Sequence, residues 1–96
     1  MVGLSKAIES ARNIGPSLGG ELREVGVATM ASLERLGWEE AWLLLCQRNP
    51  SCLHLMCGYA LLGAIEDIDW LKIPEERKQA AMRFKREIQR DLRNLA

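Results

Sequence analysis

Apolar residues along this chain recur mostly at spacings of three and four, and glycine, proline and small polar residues break the pattern into short segments. That period belongs to helices, and no run alternates apolar and polar residues long enough for a strand, so the pattern predicts an all-α bundle of five to six helices. The expected helices cover about residues 4 to 12, 16 to 25, 30 to 37, 39 to 48, 51 to 66 and 75 to 94. Their ends are marked. Pro16 has its φ pre-set for a first helical position and lacks the N–H that would go unpaired there, which places a helix start at Pro16 with Gly15 as its cap. Gly26 supplies the left-handed residue that closes this helix, and Leu18, Leu22 and Val25 give it one apolar side. Thr29 or its neighbour opens the next helix, and Gly37 ends it. Asn49-Pro50 forces a turn, with Ser51 as a fair cap for the next helix.

The segment from Cys52 to Ile65 is apolar nearly all round, which predicts a helix through the centre of the bundle. Gly58, Ala60, Gly63 and Ala64 let neighbouring backbones approach it closely. Glu66, Asp67 and Asp69 crowd its far end, where the helix dipole disfavours negative charge, so the helix stops before Asp67. Trp70 and Ile73 are expected to fold back as a plug on the core. In the last helix Ala81, Phe84, Ile88, Leu92 and Leu95 share one face, while Arg83, Arg86, Arg90 and Arg93 share the opposite one.

At 96 residues the chain has room for one core, and it is read as a single domain over residues 1–96. Its formal charge is zero, so no global field draws it to nucleic acid or acidic membrane. The charge is nonetheless uneven: residues 77–96 carry seven basic side chains against two acidic ones. Cys46, Cys52 and Cys57 are an odd count with no secretory signal ahead of them, which points to reduced thiols in a cytoplasmic protein. The apolar run is shorter than the ~20 residues a bilayer demands, so no membrane association is expected.

Asn13-Ile14-Gly15-Pro16, Leu22-Arg23-Glu24-Val25-Gly26-Val27, Leu33 and Leu36-Gly37 together resemble the opening of the C-terminal domain of the TfoX/Sxy family. The resemblance continues through Leu61, Gly63, Ala64 and Trp70 to Leu71-Lys72-Ile73-Pro74-Glu75-Glu76-Arg77. It implies an all-helical domain related to helix-hairpin-helix modules, found in bacterial proteins that regulate natural DNA competence. Members commonly carry a separate N-terminal domain, whereas here Met1 begins just before the first expected helix, which suggests a stand-alone, divergent member. Met56 and Leu62 stand where the family's central helix typically shows Asn and Glu. That makes the centre more apolar and suits coverage by a second copy of the chain.

Helix-hairpin-helix modules present the backbone N–H groups of a glycine-rich turn to a DNA phosphate, which makes the turn at Asn13, Gly15 and Ser17 a candidate contact through the amides of Gly15, Ser17 and Leu18. Asn13 replaces the usual first glycine and Ser17 an often basic residue, and Glu21 and Glu24 lie close by, so a purely structural turn is the competing reading. Arg83, Arg86, Arg90 and Arg93 suit a nucleic-acid backbone, an acidic protein partner, or simply solvent. Cys46, Cys52, His54 and Cys57 lack paired zinc-ligand spacing, and the acidic residues near Glu66 lack a calcium-loop pattern, so no metal or cofactor is expected. Trp38 and Trp42, one helical turn apart, are read as core.

One histidine and no nucleophile elbow, phosphate loop or dinucleotide fingerprint argue against an enzyme. The expected role is therefore a regulatory or protein-interaction module, its partner a protein such as a transcription regulator or a second copy of the chain. A duplex DNA-binding module using the turn near Asn13 and the arginine face is the alternative.

Overall fold

The caps written into the sequence place the first helices. In the computed structural model, which describes residues 6–95 and of Leu95 the backbone alone, Pro16 opens α1 (Pro16–Glu24) behind an extended Gly15. The helix ends in a Schellman turn around Gly26, at φ 89°: Val27 N–H donates to the Leu22 carbonyl at 2.8 Å and Gly26 N–H to that of Arg23 at 3.0 Å. The Thr29 hydroxyl then accepts from Ser32 N–H at 3.2 Å and starts α2 (Met30–Leu36). Gly37 separates α2 from α3 (Trp38–Arg48). A 3-10 turn over Pro50–Cys52 leads to α4 (Leu55–Glu66), a second over Trp70–Lys72 follows, and α5 (Glu75–Leu95) closes the chain.

Three expectations need correction. Of the helix expected at 4 to 12, positions 4 and 5 lie outside the described residues, and the remainder forms only a 3-10 turn at Ile8–Ser10. The reason is tertiary: Ile8 N–H donates to Ala28 and Met30 N–H donates to Lys6, both at 3.0 Å, so the first segment pairs with the approach to α2 in a single β-bridge between Ala7 and Thr29. The helix expected from 51 begins at Leu55, because the Asn49 side chain accepts from Ser51 N–H at 3.2 Å and holds a 3-10 turn there. Its cap is His54, whose Nδ1 accepts from Cys57 N–H at 3.2 Å. Lastly, Ile73 is buried as a plug should be, but Trp70 is only half-buried.

α4 is the axis of the bundle, with α2, α3 and α5 packed on it and α1 resting on α3 and the first 3-10 turn. Leu61 and Leu62 are wholly buried, so the departure at Leu62 fills the core, whereas Met56 is 55% exposed. Trp38, Trp42 and Phe84 pack as an aromatic trio with centroids 5.9 to 6.4 Å apart, joining α3 to α5. The fully buried Trp42 ring donates its Nε1–H to the Cys52 carbonyl at 2.9 Å, which satisfies its one polar atom. α4 stops where acidic residues begin: Asp67 takes a left-handed φ of 58°, and Ile68 N–H returns to the Gly63 carbonyl at 2.8 Å. No helix among the described residues is long and apolar enough to cross a membrane.

Candidate functional site

The turn before α1 is built from the inside. Asn13 has φ 70°, a left-handed value that asparagine tolerates, and its side chain points into the bundle. Its Nδ2 donates to the Ile68 carbonyl at 2.8 Å, with a longer contact of 3.5 Å to that of Ala60, and its Oδ1 accepts from Trp70 N–H at 3.1 Å. One amide thus ties the start of α1 to the end of α4 and the chain beyond it. Gly63 makes the approach feasible, since a β-carbon there would collide with both the Asn13 amide and the Ile68 carbonyl. Arg12 adds a surface clasp to Asp67 at 2.9 Å.

Gly15 and Ser17 are exposed, on the rim of a groove of about 440 Å³ that Leu18, Glu21, His54 and Met56 also line. Its electrostatics do not favour an anion. Arg48 beside α1 is held by Glu24 at 3.4 Å and Glu21 at 4.0 Å, and among the described residues no lysine or arginine lines the groove. Glu9 is likewise engaged with Arg23, whose hydrogen bonds hold its carboxyl down at about 2.

The arginine face of α5 is arranged in the opposite way. Ala81 and Ile88 are buried, and Phe84 and Leu92 pack against the core, which fixes the rotation of the helix and turns Arg83, Arg86, Arg90 and Arg93 outward. Leu95, placed on the inner face by its spacing, has a side chain outside the described residues. Among the described residues none of the four arginines has an ion-pair partner, although Arg12, Arg23, Arg48 and Arg77 each have one. Turn and stripe line different grooves: α5 packs on α3 and α4, and the groove at its end is lined, among the described residues, by Leu53, Gln89, Leu92 and Arg93.

The three thiols are free and buried. Burial pushes Cys46 and Cys57 up to about 12 and raises Cys52 as well, which keeps all three protonated and poor nucleophiles at neutral pH. Among the described residues no group of three His, Cys, Asp or Glu could hold a metal ion.

The turn-helix-turn unit at 13–27 and the central α4 carry residues on which the sequence resemblance rests. The family model described as the TfoX C-terminal domain matches residues 4–84. The chain belongs to that family. Among solved structures, this TfoX C-terminal domain is similar to an uncharacterized protein from Listeria monocytogenes in a triclinic crystal form, with 28% identity and a TM-score of 0.81 over 86% of this chain and 93% of that one. A protein of unknown function from Listeria monocytogenes in a tetragonal form is 29% identical, with a TM-score of 0.78 over 83% of this chain and 98% of that one. No curated protein matches. Neither solved relative names a ligand, so the working surface of this TfoX C-terminal domain must be argued from its own residues.

The sequence alone did not reveal the internal work of Asn13, whose partners lie 47 to 57 positions away. Nor did it reveal His54 as a cap. The groove at Leu53 and Leu92 carried no signal of its own, since both residues read as parts of apolar helix faces.

Proposed function

We propose that this TfoX C-terminal domain is a regulatory protein-interaction module that acts by binding and not by catalysis, with the outer face of α5 as its working surface. The observation that carries the reading is the row of four exposed arginines without ion-pair partners among the described residues, on a helix whose inner face is already used by the core. Arginines set side by side repel one another, and an acidic surface relieves that repulsion while gaining bidentate hydrogen bonds. The turn at Asn13 supports the fold in this reading and leaves the contact to α5. A role in bacterial competence regulation and a cytoplasmic setting are part of the proposal through kinship with the family.

Duplex DNA is the second reading, favoured by the same arginine row, since a phosphate backbone also answers to spaced guanidinium groups. Affinity capture from an extract of the native host separates the two. Wild-type protein and the Arg83→Glu/Arg90→Glu variant, matched for thermal melting, are compared with and without nuclease treatment. A protein retained by wild type through nuclease treatment and lost by the variant supports the reading. Retention abolished by nuclease favours DNA, and equal retention by both proteins removes α5 as the surface.

A further inference from the structure

The stripe on α5 has a length, a direction and an apolar end, and together these describe what lies on it. Arg83, Arg86, Arg90 and Arg93 follow a three-four-three spacing, which at 1.5 Å per residue is a band about 15 Å long on one side of the helix. A second helix laid along α5 presents side chains at the same spacing, so carboxylates at three- and four-residue intervals meet guanidinium groups one for one. At 100° per residue, Glu87 and Asp91 fall along one edge of the stripe and Gln89 along the other. An acidic partner is therefore repelled from the first edge and drawn toward the second.

That second edge is where the groove lies. Leu53, Gln89, Leu92 and Arg93 line an open groove of about 350 Å³ there, and Arg93 belongs both to the groove and to the stripe. Leu53 and Leu92 are half-buried and pack against the core, so the apolar floor is fixed. We infer that the outer face of α5 takes an acidic amphipathic helix of a partner protein, whose carboxylates pair with Arg83, Arg86, Arg90 and Arg93 and whose apolar side chain enters the groove at Leu53 and Leu92. The inference rests on the function proposed above and names its partner's chemistry. Duplex DNA fits less well: its backbone offers no apolar group for the groove, and residues 1–76 carry eleven acidic against six basic side chains that repel an extended polyanion.

The test uses the full chain, ¹⁵N-labelled, titrated with a synthetic helical peptide that carries glutamates at three-four-three spacing and one leucine beyond the last of them. Amide shifts are expected along residues 83–93 and at Leu53, with affinity falling at least about tenfold when the peptide glutamates become glutamine or the protein carries Arg90→Glu/Arg93→Glu. Replacing the peptide leucine by serine is expected to weaken binding several-fold and to silence Leu53. Binding indifferent to these changes overturns the inference, as does tighter binding of a duplex of about 20 base pairs at the same salt. If the peptide fails while capture from extract still depends on Arg83 and Arg90, the partner's chemistry is wrong and the module reading stands; if both fail, both are wrong.

Discussion

Asn13 shows how much one polar side chain can hold in so small a bundle. Removing its amide leaves the Ile68 carbonyl and the Trp70 N–H without partners and puts another residue at a left-handed φ. Asn13→Ala is therefore expected to cost about 2–3 kcal/mol, the sum of lost hydrogen bonds and backbone strain. In a domain of this size that lowers the melting temperature by roughly 10–20 °C, readable by circular dichroism. Asn13→Asp keeps the acceptor for Trp70 N–H but sets a carboxylate against the Ile68 carbonyl, so it is also expected to be destabilised, least at low pH where the protonated carboxyl can donate. The cysteines give a second residue-level prediction with a defined pH window. Burial raises the thiols of Cys46 and Cys57 from 9.0 in the unfolded chain to about 12, so their contribution to stability is fully present below pH 9 and is lost as pH rises toward 12. Alkaline unfolding should accordingly begin above pH 9, and a thiol reagent at pH 8 should label the folded chain far more slowly than the denatured one. Equal labelling rates would show that the thiols are not buried as described.

At the scale of elements, helices with strong local signals were legible and those decided by distant partners were not. Gly15-Pro16, Thr29 and Gly37 fixed the ends of α1 and α2 because each acts through its own backbone geometry or its nearest N–H groups. Residues 4 to 12 carry a helical spacing too, yet the backbone of Lys6 and Ile8 bonds across to Ala28 and Met30, a competition invisible in a local window. Local spacing starts α4 too early because histidine is an uncommon cap. α5 is legible on both faces, since a strong amphipathic pattern dictates its own burial. Those faces should respond differently to substitution. Ile88→Ala, at a fully buried site, is expected to cost about 2–5 kcal/mol. Arg83→Glu with Arg90→Glu is expected to stay within about 0.5 kcal/mol. Urea denaturation measures both, and a large loss from the arginine pair would mean that the stripe supports the fold.

Across the whole molecule, charge and packing divide the labour. Surface ion pairs neutralise much of the body, between Arg12 and Asp67, Arg23 and Glu9, Arg48 and Glu24, and Arg77 and Glu66. The unmatched basic charge gathers on α5, so a chain of zero formal charge still has a basic end and an acidic body. Of the two candidate surfaces legible in the sequence, the turn points Asn13 inward and leaves Gly15 and Ser17 exposed among acidic neighbours, while the stripe faces outward whole. The most direct measurement of that division is photocrosslinking in cells of the native host, with a photoreactive residue placed either at Arg86 on the stripe or at Ser17 beside the turn. A discrete protein adduct is expected from position 86 and none from position 17; an adduct from position 17 alone would move the working surface from α5 to the turn.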